Sequence, residues 1–274
     1  MNEPVTLLPL TEDLGYEVKG VDLSKPLAPG VGTLLRGAMA TRGLLVIRGQ
    51  DINDEQQAAF ARVFGDFSRQ GPLHSVGGDC TYVSNVREDG AFGQGEMQFH
   101  FDHSYYAEPL KALMLYGVEI PPEGGATLFT SSAAAVRRLP AKLRGRLTGR
   151  KVFNAIDYAT ILGDRPQLEA VKTQAWHPAV AVHAASGQEI LMITRERSKR
   201  LDDADGAEAQ ALIEEAHAVL SDPEHVYTHQ WKPGDLLVWD NLLLQHARTA
   251  FEPSEPRTLR RCAIGSDREP AAAH

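Results

Sequence analysis

Punctuation constrains this chain most: short apolar runs recur between glycine- and proline-bearing turns, and few segments are long enough for helices. Gly43 to Gly49 encloses LLVIR, as turns enclose a buried strand. CTYVSNV forms one strand in an otherwise turn-rich stretch from Gly71 to Gly95. LKALMLYGVEI reads as a strand followed by a PPEGG turn, and AVAVHAASGQEILMI as a hairpin around Ser186-Gly187. WKPGDLLVWDNLLLQHART and then RTLRRCAIG supply two more strands. Three segments take helical spacing instead. EQQAAFARVFG is capped by Asp54 and ended by Gly65, Ser131 to Leu147 is broken by Pro140, and Ala207 to Asp222 runs unbroken. Short strands with a few helices outside them predict a mainly β protein with flanking helices (α+β), a β-sandwich or jelly roll. No repeat, low-complexity tract or long linker divides the chain, so residues 1–274 read as a single domain.

A domain of 274 residues buries enough surface to fold without a structural metal or disulfide, so any metal here is expected to be functional. The net charge of −8 argues against a general grip on nucleic acid. Cys80 and Cys262 form no CxxC pair, which suits a reducing cytosol. MNEPVTLLPLTEDL lacks a secretory pattern, and no apolar run approaches the ~18 residues a membrane span needs. The expectation is a cytoplasmic protein.

Chemistry concentrates in QFHFDHSYY, whose alternation suits a strand or its end. Residues two apart on a strand share a face, so His100 and Asp102 converge while Phe101 faces the core and His103 points away. A transition-metal site needs a third ligand, and His246, on a later strand of the same sheet, is the best candidate. Two histidines and one carboxylate make the facial triad of non-haem Fe(II) oxygenases, which leaves room for a bidentate 2-oxo acid and O₂. Arg257, in PRTLRRCAI, suits a bidentate grip on a carboxylate, and Thr127, in GGATLFTS, offers a hydroxyl to share it. Taken singly, HxD arises by chance and a lone histidine is more often structural. The inference rests on their company.

With these residues in place, the chain resembles the taurine / 2,4-dichlorophenoxyacetate dioxygenase family of Fe(II)- and 2-oxoglutarate-dependent oxygenases. The resemblance runs through LGYEVKGVDLSKPL, GLLVIRGQDINDEQQAAFARVFG, FHFDHSYYAEPLKALMLYGVEIPPEGGATLFTS, WHPAVAVHAASGQEILM and PGDLLVWDNLLLQHART with RTLRRCAIG. It implies a double-stranded β-helix (jelly-roll) core, Fe(II) held by His100, Asp102 and His246, and the far carboxylate of 2-oxoglutarate held by Arg257 and Thr127. Arg261 matches a position where members acting on anions place an arginine near substrate or co-substrate. The chain departs from the family at Phe99, where tryptophan is frequent, at Ala184, where proline is usual, and throughout Gly71 to Met97. The last departure leaves the substrate open.

Among the other polar and aromatic residues, Tyr105, Tyr106, Asn154 and Tyr158 are candidates to line a substrate pocket. Trp239-Asp240-Asn241 reads as a structural corner, and His177 and His183 as packing and hydrogen-bonding residues. Asp202 to Ala209 lacks the ligand spacing of a calcium loop and reads as a solvated helix start. Glu196 to Arg200 is too short and too offset by acids for nucleic acid. The expected activity is hydroxylation, or a reaction beginning as one, of a small organic substrate that Arg261 tilts toward an anion, with release of succinate and CO₂, since Asp102 fills the place that related halogenases leave for chloride; desaturation and ring closure stay open. The expected partners are a small-molecule substrate and O₂, with neither nucleic acid nor membrane, and a homo-oligomer stays open. Two rivals remain: a non-catalytic binding protein of the same fold, and an oxidase that does not use 2-oxoglutarate.

Overall fold

The computed structural model describes residues 4–70, 79–91, 95–157, 172–265 and 271–272. Buried backbone groups must find partners, and here sheets supply most of them. The larger sheet holds β1 (Thr6–Pro9), β2 (Tyr16–Lys19), β3 (Leu44–Ile47), β4 (Thr81–Ser84), β5 (Gly90–Ala91), β7 (Ala112–Glu119), β15 (Leu236–Asp240) and β17 (Thr258–Ile264). Their order is β1-β2-β3-β15-β7-β17-β4-β5. The smaller sheet holds β6 (Met97–His100), β8 (Thr127–Ser131), β14 (Tyr227–His229) and β16 (Leu244–Arg248), in the order β14-β8-β16-β6. The two sheets face each other as the jelly roll that turn spacing and resemblance both predicted.

Two further ribbons extend the core. β9 (Lys151–Asp157) lies between β10 (Lys172–Pro178) and β13 (Ser198–Leu201), and β11 (Val180–Val182) between β12 (Glu189–Leu191) and β18 (Ala271–Ala272). The expected hairpin at Ser186-Gly187 is β11–β12. None of the described helices is long and apolar enough to cross a membrane.

Strand alternation divides the apolar residues into two cores. On β7 and β15, Ala112, Met114, Leu236 and Val238 pack outward with Leu35 of helix α1 (Val31–Arg42) and Phe60 of α2 (Asp54–Ala61). Leu113, Leu115, Leu237 and Trp239 belong to the second core, with Phe129 and Leu244 of the smaller sheet. That core continues beneath α3 (Ser132–Arg138), α4 (Ala141–Leu147) and α5 (Gly206–Leu220). Pro140 separates α3 from α4, as its ring and missing N–H require.

The structure corrects several local expectations. Asn53, not Asp54, caps α2: its side chain accepts from Gln56 N while Gln56 Oε1 accepts from Asn53 N, each at 2.9 Å. This is a reciprocal capping box. Asp54 is the first helical residue, and its carboxylate is instead bound by Tyr82 and Arg260. The helix stops at Ala61 before reaching Gly65. The C-terminal segments give three strands rather than two, because Asp240 Oδ1 accepts from Leu242 N and Leu243 N and folds a corner between β15 and β16. QFHFDHSYY is a strand only as far as His100.

β17 shows what alternation does to adjacent arginines. Arg261 faces the space between the sheets, whereas Arg260 faces α2 and donates to Gln57 Oε1 (2.6 Å), Asp54 Oδ1 (2.5 Å) and Ile52 O (2.7 Å). Removing the guanidinium leaves the buried Gln57 side chain without its charged donor. Arg260→Ala should therefore lower unfolding free energy by about 3 kcal/mol in a denaturant titration, against about 1 kcal/mol for the cap variant Asn53→Ala.

Candidate active site

Antiparallel pairing of β6 with β16 sets His246 directly opposite His100. Cross-strand partners share a face, so the two imidazoles meet with ring centroids 4.3 Å apart. Asp102 joins them by a different route from strand alternation. The chain leaves β6 and turns, and Asn241 grips the turn: its Oδ1 accepts from Asp102 N (2.8 Å), while its Nδ2 donates to Asp102 O and Leu110 O (2.9 Å each). Asp102 Oδ1 then lies 3.3 Å from His100 Nε2 and 3.9 Å from His246 Nε2. One ligand atom from each residue falls within 4.8 Å of the others, the one such metal-binding group among the described residues.

Their protonation suits a cation. His100 Nδ1 donates to Gln98 O at 2.8 Å, which turns Nε2 toward the cluster. Burial, with His100 beside it, pushes His246 down to about 3, so its ring is neutral at physiological pH. Trp239, with its ring 5.0 Å from that of His246, packs against the imidazole. Burial opposes the charge on Asp102, but its neighbours, with the Arg261 guanidinium donating to Oδ2, outweigh it and hold the carboxyl well below its usual range. Two imidazole nitrogens and one carboxylate oxygen are a donor set that fits Fe(II).

The cluster opens into a cavity of about 430 Å³ between the sheets. Thr127 and Arg257 line it on the smaller-sheet side and at the start of β17. Thr127 Oγ1 accepts from Trp231 Nε1 at 2.9 Å, leaving its own proton for a ligand. Arg257 is 2 % exposed, and its Nε and Nη2 donate to Gly125 O at 3.1 and 2.9 Å. Burial first, and Arg248 second, push Arg257 down to about 9: a cation here is costly without an anion. Gly125, at φ +64°, has no room for a side chain, because a Cβ would lie 2.8 Å from Arg257 Nε.

The remaining candidates divide. Arg261 lines the cavity and donates to Asp102 Oδ2 at 2.8 Å, and Tyr105 lines it too. Tyr106 stands behind, its ring 4.9 Å from that of His103. Asn154 does not serve the cavity: it is fully buried and accepts from Ser198 Oγ at 2.7 Å, because the β9–β13 register sets it opposite Ser198. Tyr158 lies outside the described residues. His103 corrects a second expectation. The turn after His100 puts it at φ +62°, so it lines the cavity instead of pointing away, though it does not join the ligand group. His177 Nε2 meets Ser104 O at 2.9 Å, and His183 bridges Ser186 Oγ (2.9 Å) and Asp240 Oδ2 (3.1 Å). Sequence reasoning missed Asn241 as the clamp on Asp102, and it missed Arg248. Alternation along LQHAR could have found the latter, two residues beyond His246.

With this geometry in view, the comparisons with known proteins are direct. The family model described as "Taurine catabolism dioxygenase TauD, TfdA family" matches residues 6–263. The chain belongs to this family, and relatives of it are named as alpha-ketoglutarate-dependent dioxygenases, that is, oxidoreductases. An alpha-ketoglutarate-dependent 2,4-dichlorophenoxyacetate dioxygenase of Cupriavidus pinatubonensis is 31% identical, over 91% of this chain and 94% of that one. An alpha-ketoglutarate-dependent sulfate ester dioxygenase of Pseudomonas putida is 28% identical, over 94% and 89%. Among solved structures, AAD-2 in complex with Mn(II) and N-oxalylglycine superposes with a TM-score of 0.83 at 26% identity, covering 99% of this chain and 100% of that one.

Because Asn241 holds the Asp102 turn through the backbone, Asn241→Ala should weaken Mn(II) binding by about tenfold in calorimetry. Circular dichroism should show the sheets retained.

Proposed function

We propose that this protein hydroxylates a small anionic organic substrate, using Fe(II), 2-oxoglutarate and O₂ and releasing succinate and CO₂. One observation carries the reading: a two-histidine, one-carboxylate cluster shares a buried cavity with Arg257 and Thr127. The bound metal, with 2-oxoglutarate and O₂, would supply an oxidant able to attack an unactivated C–H bond.

The protein's own contributions follow from its side chains. His100 and His246 offer imidazole nitrogens and Asp102 one negative oxygen, so a divalent cation held there would keep positive charge for an anionic co-substrate. Arg257 and the free Thr127 proton hold the far carboxylate and so fix which end of the co-substrate faces the metal. Leu113, Leu115 and Trp239 make part of the wall apolar, which excludes water and strengthens these contacts. Arg261 gives one of its five donors to Asp102 and keeps others for the substrate. Two relatives named for a phenoxyacetate and a sulfate ester support an anionic substrate. The free thiols Cys80 and Cys262 fit a cytoplasmic setting.

Adding Fe(II) and 2-oxoglutarate together to metal-free protein without O₂ should produce a weak visible absorption band, lost in Arg257→Ala. Iron binding without a band would turn the reading toward an oxidase that does not use 2-oxoglutarate, and no iron binding toward a non-catalytic protein. In a substrate-coupled O₂-uptake assay, Asp102→Ala should lose at least about a hundredfold in turnover, and omission of 2-oxoglutarate should abolish uptake.

A further inference from the structure

The chain has two cysteines, 182 residues apart, and the fold brings them together outside the site described above. β17 runs antiparallel to β4, with Arg260 opposite Tyr82 and Arg261 opposite Thr81. One step further along that register Cys262 meets Cys80, and their Sγ atoms lie 2.9 Å apart. Cys262 stands two residues from Arg260 and shares its face, so both sulfurs sit in the core beneath α2. Cys262 is fully buried, and Cys80 is 9 % exposed.

The backbone suits a bond between them. Cross-strand partners hold their Cα atoms ~4.5–5.5 Å apart, inside the ~4.4–6.8 Å that a disulfide spans. The sulfurs need to approach by only about 0.9 Å to reach a bond length of about 2.0 Å, so neither strand has to change register. No third cysteine competes for either thiol. The two also differ in reactivity. The Cys262 hydrogen bond, with the Arg260 cation behind it, holds the Cys80 thiol below its ordinary value against the effect of burial. The same contact and its own burial push Cys262 up. A thiolate is the reactive form, so Cys80, the more exposed of the pair, is the one that meets an oxidant.

We propose that Cys80 and Cys262 are a dithiol oxidation site, which peroxide converts into a disulfide that fastens the start of β4 to β17. The Cys80 thiolate attacks one peroxide oxygen, the O–O bond breaks, and the other oxygen leaves as hydroxide, which takes up a proton to become water. The Cys262 sulfur then displaces the hydroxyl of the Cys80 sulfenic acid, and its proton leaves with that hydroxyl as a second water. The two thiols lose two electrons and two protons, and peroxide gains them. Asp79 and Thr81, on either side of Cys80, line the cavity, and Thr81 stands opposite Arg261. The bond therefore fixes the part of the cavity wall that faces Arg261. In a reducing setting the pair stays a dithiol. The inference is independent of the 2-oxoglutarate reading.

The test is to treat folded, Mn(II)-loaded protein with hydrogen peroxide, alkylate it in denaturant, and measure its intact mass. Mn(II) stands in for Fe(II) so that peroxide meets no iron. The monomer should lose two hydrogens and take up no alkyl group. Digestion should yield one pair of peptides joined through Cys80 and Cys262, and dithiothreitol should restore both thiols. The urea midpoint of unfolding should rise by about 1 M on oxidation and return on reduction, because the bond closes a loop of 182 residues. These readings use the wild-type chain, so no variant has to fold. Two free thiols after treatment, added oxygen without a cross-link, or a disulfide between two molecules would each overturn the proposal. So would a midpoint that fell on oxidation, since the bond would then strain β4 and not fasten it.

Discussion

The site depends on a single register, in which β16 pairs with β6 so that His246 stands opposite His100. A slip by one residue would turn every side chain of β16 over and remove both His246 and Arg248 from the cavity. The pairing is secured from both sides. β8 continues the ladder beyond β16, and the Asp240 corner sets where β16 begins. Asn241, next in that corner, reaches the Asp102 turn, so one short segment determines both the position of His246 and that of the carboxylate. The third donor is thereby coupled to the other two through backbone hydrogen bonds rather than through a shared strand.

Charge is distributed across the larger sheet by the same geometry. Arg260 and Arg261 are adjacent in sequence but serve opposite faces, one tying α2 to β17 and the other meeting Asp102 in the cavity. Both of these buried guanidinium groups have an acidic or amide side-chain partner. Arg257 differs, because its donors rest on the carbonyl of a glycine whose φ and missing side chain let it approach. A cation so placed is costly to keep charged without an anion beside it.

Much of this was legible in the residues. Apolar runs between turns narrowed the fold to a β-sandwich or jelly roll, the family resemblance chose the jelly roll, and HxD with a distant histidine, an arginine and a threonine marked the cavity that contains them. Other readings failed for identifiable physical reasons. Asp54 and Asn53 are both good caps, and the choice fell to Asn53 because Asp54 was claimed by Tyr82 and Arg260, which lie far along the chain. His103 was placed by an alternation that ends at His100, where a left-handed turn takes over. Asn154 resembled a pocket residue in composition alone, and its burial against Ser198 follows from a strand pairing that no local pattern announces.

Sequence alone determined the donor types, the strand and turn pattern, and through them the chemistry open to the chain, because these depend on side-chain identity and local periodicity. Tertiary structure decided which groups meet. Asn241 became a clamp on Asp102, and Arg248 a neighbour of Thr127, through contacts between segments more than a hundred residues apart. Burial decided their electrostatic character, by stripping water from Arg257 and His246 and leaving one costly to charge and the other neutral. Neither register nor desolvation is encoded at a single position, since both arise only when distant strands close around the same cavity.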